Sequence, residues 1–165
     1  MKKLVILTVV FLSLLLGFNS ANAYVTNNYK KYPPKQITIF YKDGVNGNLS
    51  LVRSAASAWN YSGSPVYLST TTDSASAKIK VSYSNIDSGS FATAYNGYSI
   101  VFYSDFNALN STQKKETAVH EFGHTIGLGH TQSYNDTISV MRAYGFNNKP
   151  YPLSDDKAGL NYIYK

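Results

Sequence analysis

Apolar residues recur along this chain in two rhythms. Ile37, Ile39 and Tyr41 alternate with polar neighbours, which predicts a strand over 36–41. Ile79, Val81 and Tyr83 alternate in the same way, predicting a strand over 78–83, and a shorter one is expected over 66–70. Residues 91–95 and 98–103 flank Asn96-Gly97, a dipeptide favoured in tight turns, so they read as a paired set. After the first strand the spacing changes. Val52, Ala55, Ala56 and Trp59 fall at i, i+3, i+4 and i+7, the apolar stripe of a helix over 49–60 with Asn48 as its expected N-cap. A longer helix is predicted from Asn110 or Ser111 through Ala118, Val119, Phe122 and Ile126 to Gly127. Beyond it, glycines and prolines interrupt the pattern until a last helix over 155–164, with Ser154 as its expected cap. Asp155 and Asp156 in its first turn suit the positive end of the helix dipole. The pattern is therefore mixed α and β, without repeat or linker.

Composition narrows the classes. A chain of 165 residues and 18.2 kDa allows one domain. With 44% hydrophobic and 15% charged residues it can build a core. Cysteine is absent, which excludes disulfide scaffolds, thiolate zinc fingers, iron–sulfur centres and cysteine nucleophiles. The net charge of +6 comes from lysines in small pairs, such as Lys30-Lys31 and Lys114-Lys115, with no long basic stripe. No nucleic-acid partner is expected.

Residues 1–23 have the form of an export leader. Lys2 and Lys3 precede an apolar run from Leu4 to Phe18, and Ala21-Asn22-Ala23 has the small-x-small form of a cleavage site. The run is shorter than the roughly 20 apolar residues of a membrane span. The expectation is a secreted protein whose single domain is 24–165, with no stable membrane anchor.

The chemistry gathers at the histidines. The chain has three, His120, His124 and His130, and all lie in His120-Glu121-Phe122-Gly123-His124-Thr125-Ile126-Gly127-Leu128-Gly129-His130. Residues four apart on a helix project from one face, so His120 and His124 can reach one Zn²⁺. On a continued helix His130 would sit too far round. Gly127 can take a left-handed conformation, end the helix and return His130 to the metal. A fourth position then stays open for water. Glu121, beside His120, is placed to accept that water's proton as general base, and zinc lowers the water's pKa towards about 7.

His-Glu-x-x-His-x-x-Gly-x-x-His resembles the signature of the metzincin metallopeptidases. That group carries a methionine turn beneath its metal. Met141, in Ser139-Val140-Met141, is the one methionine besides Met1 and is assigned that structural part. Trp59, the 77–83 strand, the 95–102 segment and Leu153-Ser154-Asp155-Asp156 follow the order of the matrixins within it. The resemblance implies an α+β, zincin-like fold: a twisted, mostly parallel sheet with an antiparallel edge strand, two long helices, and a small irregular C-terminal subdomain with the Met turn and a terminal helix. It implies a zinc endopeptidase whose substrate pairs with an edge strand around 91–96. Thr93, Ala94 and Tyr95 are then candidate substrate contacts. Asp155 and Asp156 would tie the last helix to the chain terminus and the Met turn.

The departures shape further expectations. The family's usual latency switch is a cysteine on a pro-domain, and this chain has neither, so export without a zymogen switch is expected. Its second, structural zinc uses further histidines, so one zinc per chain is expected. Asp87 and Asp105 are the candidates for a structural calcium, although no calcium-loop spacing surrounds them. Some metzincins place a tyrosine two residues after the methionine. Here position 143 is Ala and Tyr144 follows, which favours packing below the site over a catalytic part for Tyr144 and keeps it as a candidate substrate contact. Specificity is expected from 131–152, where Tyr134, Ile138, Tyr144, Phe146 and Tyr151 suggest an apolar lining. The predicted partner is a peptide or protein substrate acted on by a monomer. Two other readings stay open: a non-catalytic, zinc-stabilised binding module, and a metal-dependent amidase acting on cell-wall peptides.

Overall fold

A computed structural model describes residues 24–27 and 36–165. The leader predicted over 1–23 lies outside the described residues. Alternation builds the sheet, as expected. Strands β1 (Ile37–Tyr41), β2 (Leu68–Thr70), β3 (Ile79–Tyr83), β4 (Ala92–Tyr95) and β5 (Ser99–Phe102) form one sheet in the order β2-β1-β3-β5-β4. β1 runs parallel to both β2 and β3, and β3 runs parallel to β5. Only β4 is antiparallel, paired with β5 from Ala92↔Phe102 to Tyr95↔Ser99. The three-residue connection between them places Asn96 at φ 49° and Gly97 at φ 74°, both left-handed, in a turn closed by Tyr98 N donating to Tyr95 O at 3.0 Å. β4 is thus an edge strand, and its outer backbone side faces the cleft described below.

Helix α1 (Leu49–Ser57) packs on the sheet through the predicted stripe: Val52, Ala55, Ala56 and Trp59 are all buried. It ends three residues before the sequence suggests. Asn60 is taken up by β2 instead: its amide donates to Leu68 O at 2.9 Å, and its carbonyl oxygen accepts from Leu68 N at 2.8 Å. Asn48 stands at the cap position but does not cap. Its side chain donates to Asn46 O at 3.1 Å, so no oxygen is offered to the first-turn amides.

Helix α2 (Ser111–Thr125) lies against α1 and β4. Asn110 caps it in a capping box: its side chain accepts from Gln113 N at 3.0 Å, and Gln113 Oε1 accepts from Asn110 N at 3.2 Å. Trp59 locks α1 to it by donating from Nε1 to Val119 O at 3.0 Å. Helix α3 (Ser154–Ile163) begins one residue earlier than expected, so Ser154 is its first helical residue and Leu153 its cap. Asp156 closes the start by accepting from Leu153 N at 2.7 Å. Between α2 and α3 the chain is irregular, with a single short 3-10 turn at Ser133–Asn135. Among the described residues no helix is long and apolar enough to cross a membrane.

Candidate functional site

Helix α2 must stop abruptly for its two histidines to gain a third. It does so at Gly127, whose φ of +107° only glycine adopts readily. Leu128 N then reaches back to Gly123 O at 3.0 Å and Gly127 N to His124 O at 3.2 Å, the reversed bonds of a Schellman ending. The turn brings His130 to His124, with Nε2 to Nε2 at 3.2 Å. The ligand atoms of His120, His124 and His130 all lie within 4.8 Å of one another, and the three could hold one metal ion.

The tautomers are fixed from behind. His120 Nδ1 donates to Val140 O at 2.9 Å, and His124 Nδ1 donates to Leu128 O at 2.8 Å. A carbonyl oxygen only accepts, so each Nδ1 carries the proton and each Nε2 presents its lone pair. Burial, joined by the neighbouring His124, pulls His120 down to about 3. Burial pulls His124 down to about 4, against the Leu128 carbonyl, and it also lowers the more exposed His130. The rings are neutral at pH 7, the form that a metal binds. Three converging neutral imidazoles, two of them fixed at their second nitrogens, fit zinc chemistry.

Glu121 is 7% exposed beside this set. Burial raises its pKa to about 7, opposed by a hydrogen bond from the Ala94 backbone. That bond comes from β4, so the edge strand and the carboxyl group face one another. Thr93 and Ala94 line one part of the cleft together with His120, Glu121, His124, Gly129, His130 and Asn27. Tyr95 is turned aside, half exposed, with its hydroxyl 2.5 Å from that of Tyr103. A larger cavity of about 510 Å³ continues on the other side of His120 and Glu121. Phe146 and Tyr144 belong to its wall, Tyr144 at the rim and 89% exposed. The other residues expected there do not line it: Tyr134, Ile138 and Tyr151 point to solvent. In an irregular segment the sequence carries no periodicity to say which side chains turn inward.

Met141 lies beneath the site, 2% exposed, against Gly123 of α2. Asp156 holds its turn, accepting from Ser139 Oγ at 2.5 Å, Val140 N at 2.9 Å and Met141 N at 3.4 Å. Asp155 accepts from Thr131 Oγ1 at 2.8 Å and Asn135 Nδ2 at 3.2 Å. The two aspartates therefore tie α3 to the Met141 turn and to the segment after His130. Asp87 and Asp105 do not converge with other acidic groups into a metal cluster among the described residues.

Two residues of the site have no signal in the motif. Asn27 comes from a short arm that pairs Thr26 with Leu128 and packs Val25 against Gly129. Its side-chain amide donates to His124 O at 2.9 Å and Leu128 O at 2.8 Å, so it clamps the turn between the second and third histidines. Glu116, one turn before His120 on α2, is 3% exposed and lines the larger cavity. Its helical phase with His120 was visible in the sequence, but nothing there distinguished it from a solvated helix carboxylate.

Residues 104–165 match the matrixin family model. No curated protein matches the chain. Two solved structures of myroilysin are similar in fold, with TM-scores of 0.60 and 0.61 at 18% identity. Each covers 81% of this chain, which in turn covers 95% and 85% of theirs.

Proposed function

We propose that the chain is a matrixin-like metzincin and acts as a secreted, monomeric zinc endopeptidase with one zinc per chain, a reading supported by the matrixin match over 104–165 and the myroilysin-like fold. The observation that carries the reading is the convergence of three neutral imidazoles next to a buried glutamate, open to an edge strand.

His120, His124 and His130 would hold the ion through nitrogen lone pairs. When bound, zinc supplies Lewis-acid polarisation of the scissile carbonyl and acidifies water. Glu121 takes the proton at its carboxylate and later hands it to the departing amine. A carboxyl group with a pKa near 7 suits both halves of that transfer, since it is neither too weak to accept nor too strong to release. The substrate backbone would lie against β4, where Ala92 and Ala94 turn their backbone groups outward while those of Thr93 face β5, as an added strand does on any open sheet edge. Phe91 and Phe146, with ring centroids 5.9 Å apart, form an aromatic part of the cavity wall. Met141 takes no part in the chemistry. It supports the floor under Gly123, and the Val140 carbonyl beside it orients His120.

The test is zymography on casein and gelatin with purified wild type, wild type plus chelator, and Glu121→Ala. Cleavage by wild type, its loss with chelator, and its loss in a Glu121→Ala protein that still contains zinc are expected. Undiminished cleavage by Glu121→Ala sinks the mechanism. Zinc binding without cleavage of any polymer would favour a binding module, and cleavage of cell-wall peptide alone an amidase.

A further inference from the structure

The larger cavity beside the zinc ligands carries an unexpected charge. The chain has nine acidic residues and a net charge of +6, yet Asp105, Glu116 and Glu121 all line this one cavity. Glu121 is assigned to the chemistry. Glu116 is not, and its situation is unusual. It is 3% exposed; Oε1 accepts from Asn147 N at 2.9 Å, while Oε2 is buried without a hydrogen-bond partner among the described residues. Buried carboxylate oxygens ordinarily find a donor, because leaving one unmade costs the group's desolvation. The one cation that lines the cavity does not supply it. Arg142 Nη2 donates to Asp136 O, and no ion pair joins Arg142 to Glu116 among the described residues.

Part of the cavity wall beside Glu116 is apolar. Phe91 and Phe146 face each other at 5.9 Å and belong to the cavity wall with Ala92, Val140 and Ala143. Apolar wall residues beside a buried acidic group match a side chain with a hydrocarbon stem and a cationic tip. Lysine and arginine have that form. Their tips donate to a carboxylate in a charge-assisted hydrogen bond, and their charge is welcome near aromatic rings.

Resting on the endopeptidase reading above, we propose that Glu116 is the specificity-determining residue of this cavity, and that it selects substrates with a lysine or arginine side chain flanking the scissile bond. The segment 142–147 completes the selector, because Asn147 fixes Glu116 Oε1 and so leaves Oε2 for the substrate.

The experiment uses one peptide scaffold carrying Lys, Arg, Leu, Gln or Glu at each position flanking the cut. Zinc-loaded wild type, Glu116→Gln and Glu121→Ala are compared. Wild type should cleave the best-placed Lys or Arg peptide at least about tenfold faster in kcat/KM than its Leu counterpart, the scale of one charge-assisted hydrogen bond. In Glu116→Gln the ratio of Lys to Leu should fall by at least about tenfold, because the amide can still accept from Asn147 but has lost the charge. Equal or better cleavage of the Leu peptide by wild type overturns the proposal. So does preference for Glu, which would assign the cavity to Arg142, and so does an unchanged ratio in Glu116→Gln. The Glu121→Ala protein gives an independent reading by fluorescence anisotropy of uncut peptides. Tighter binding of the Lys peptide than of the Leu peptide supports the selector even if no peptide is turned over, an outcome that would defeat only the endopeptidase reading. Equal binding overturns the selector even if cleavage is vigorous.

Discussion

Gly123 sits between Phe122 and His124 on the turn of α2 that carries the first two histidines, directly over Met141. A Cβ added there would lie 2.3 Å from Met141 Sδ, 3.1 Å from Met141 Cε and 3.0 Å from Trp59 Cζ2. Two effects oppose one another in Gly123→Ala. Alanine in place of a helical glycine contributes about 1 kcal/mol of stability. Forcing a methyl into a packed site costs about 1–3 kcal/mol. Trp59 is fully buried and tied to Val119 O, and Met141 is 2% exposed under a turn held by Asp156, so neither neighbour yields freely. The crowding wins, and a net loss of about 1 kcal/mol is expected. In a Met141→Ala background the sign should reverse. That single change costs about 3 kcal/mol by opening a cavity. With the thioether gone, the added methyl meets only Trp59 and fills part of the space, so Gly123→Ala should then stabilise by about 0.5–1 kcal/mol. The coupling of about 1.5–2 kcal/mol is well outside the few tenths expected of independent sites. The measurement is urea unfolding of the four proteins, each carrying Glu121→Ala to prevent self-digestion, at one fixed free zinc concentration because bound metal adds to stability. Additivity within about 0.5 kcal/mol would refute the claim that Met141 is packed against this glycine.

Two further outcomes follow from hydrogen bonds at the edges of the site. Asp156→Ala leaves the buried Val140 and Leu153 amides and the Ser139 hydroxyl without their acceptor, and a loss of about 3 kcal/mol is expected by the same unfolding assay; a loss under about 1 kcal/mol would show that the Met141 turn stands without it. Asn27→Ala removes two donors from the turn that carries His130. It should cost about 1–2 kcal/mol and weaken zinc retention in a chelator competition, whereas unchanged retention would confine Asn27 to holding the arm.

What could be read in the sequence was what repeats at short range. Ile37, Ile39, Ile79 and Val81 are each at or below 1% exposure, because alternation over five residues suffices to bury one face of a strand. The two histidines four apart needed only a helix, and the return of His130 needed only a glycine able to take φ +107°. Cap positions were harder. A polar residue near a helix start has several backbone groups within reach, and Asn48 turned its amide to Asn46 O while Asp156 took the place expected of Ser154. The supports of the site were not readable at all. Asn27 acts across 97 residues on His124, Val140 across 20 on His120, and Asn147 across 31 on Glu116. Such contacts depend on how separate segments pack, and no local pattern encodes them.

The supports also explain why a helix that contributes no metal-binding residue matters to the metal. Asp156 of α3 accepts from Val140 N, and the carbonyl of that same Val140 receives the proton of His120 Nδ1. Asp155, the preceding residue, accepts from Thr131 Oγ1, and Thr131 N donates to Met141 O, which fixes the residue that follows His130. The first histidine is thus oriented by Asp156 through the Val140 backbone, while the adjacent Asp155 holds the Thr131 side chain, next to His130 in the chain. His124 is left to the end of its own helix, with Leu128 O on its ring and Asn27 behind Leu128. A rigid framework of this kind spares the imidazoles rotational freedom that a metal would otherwise have to remove.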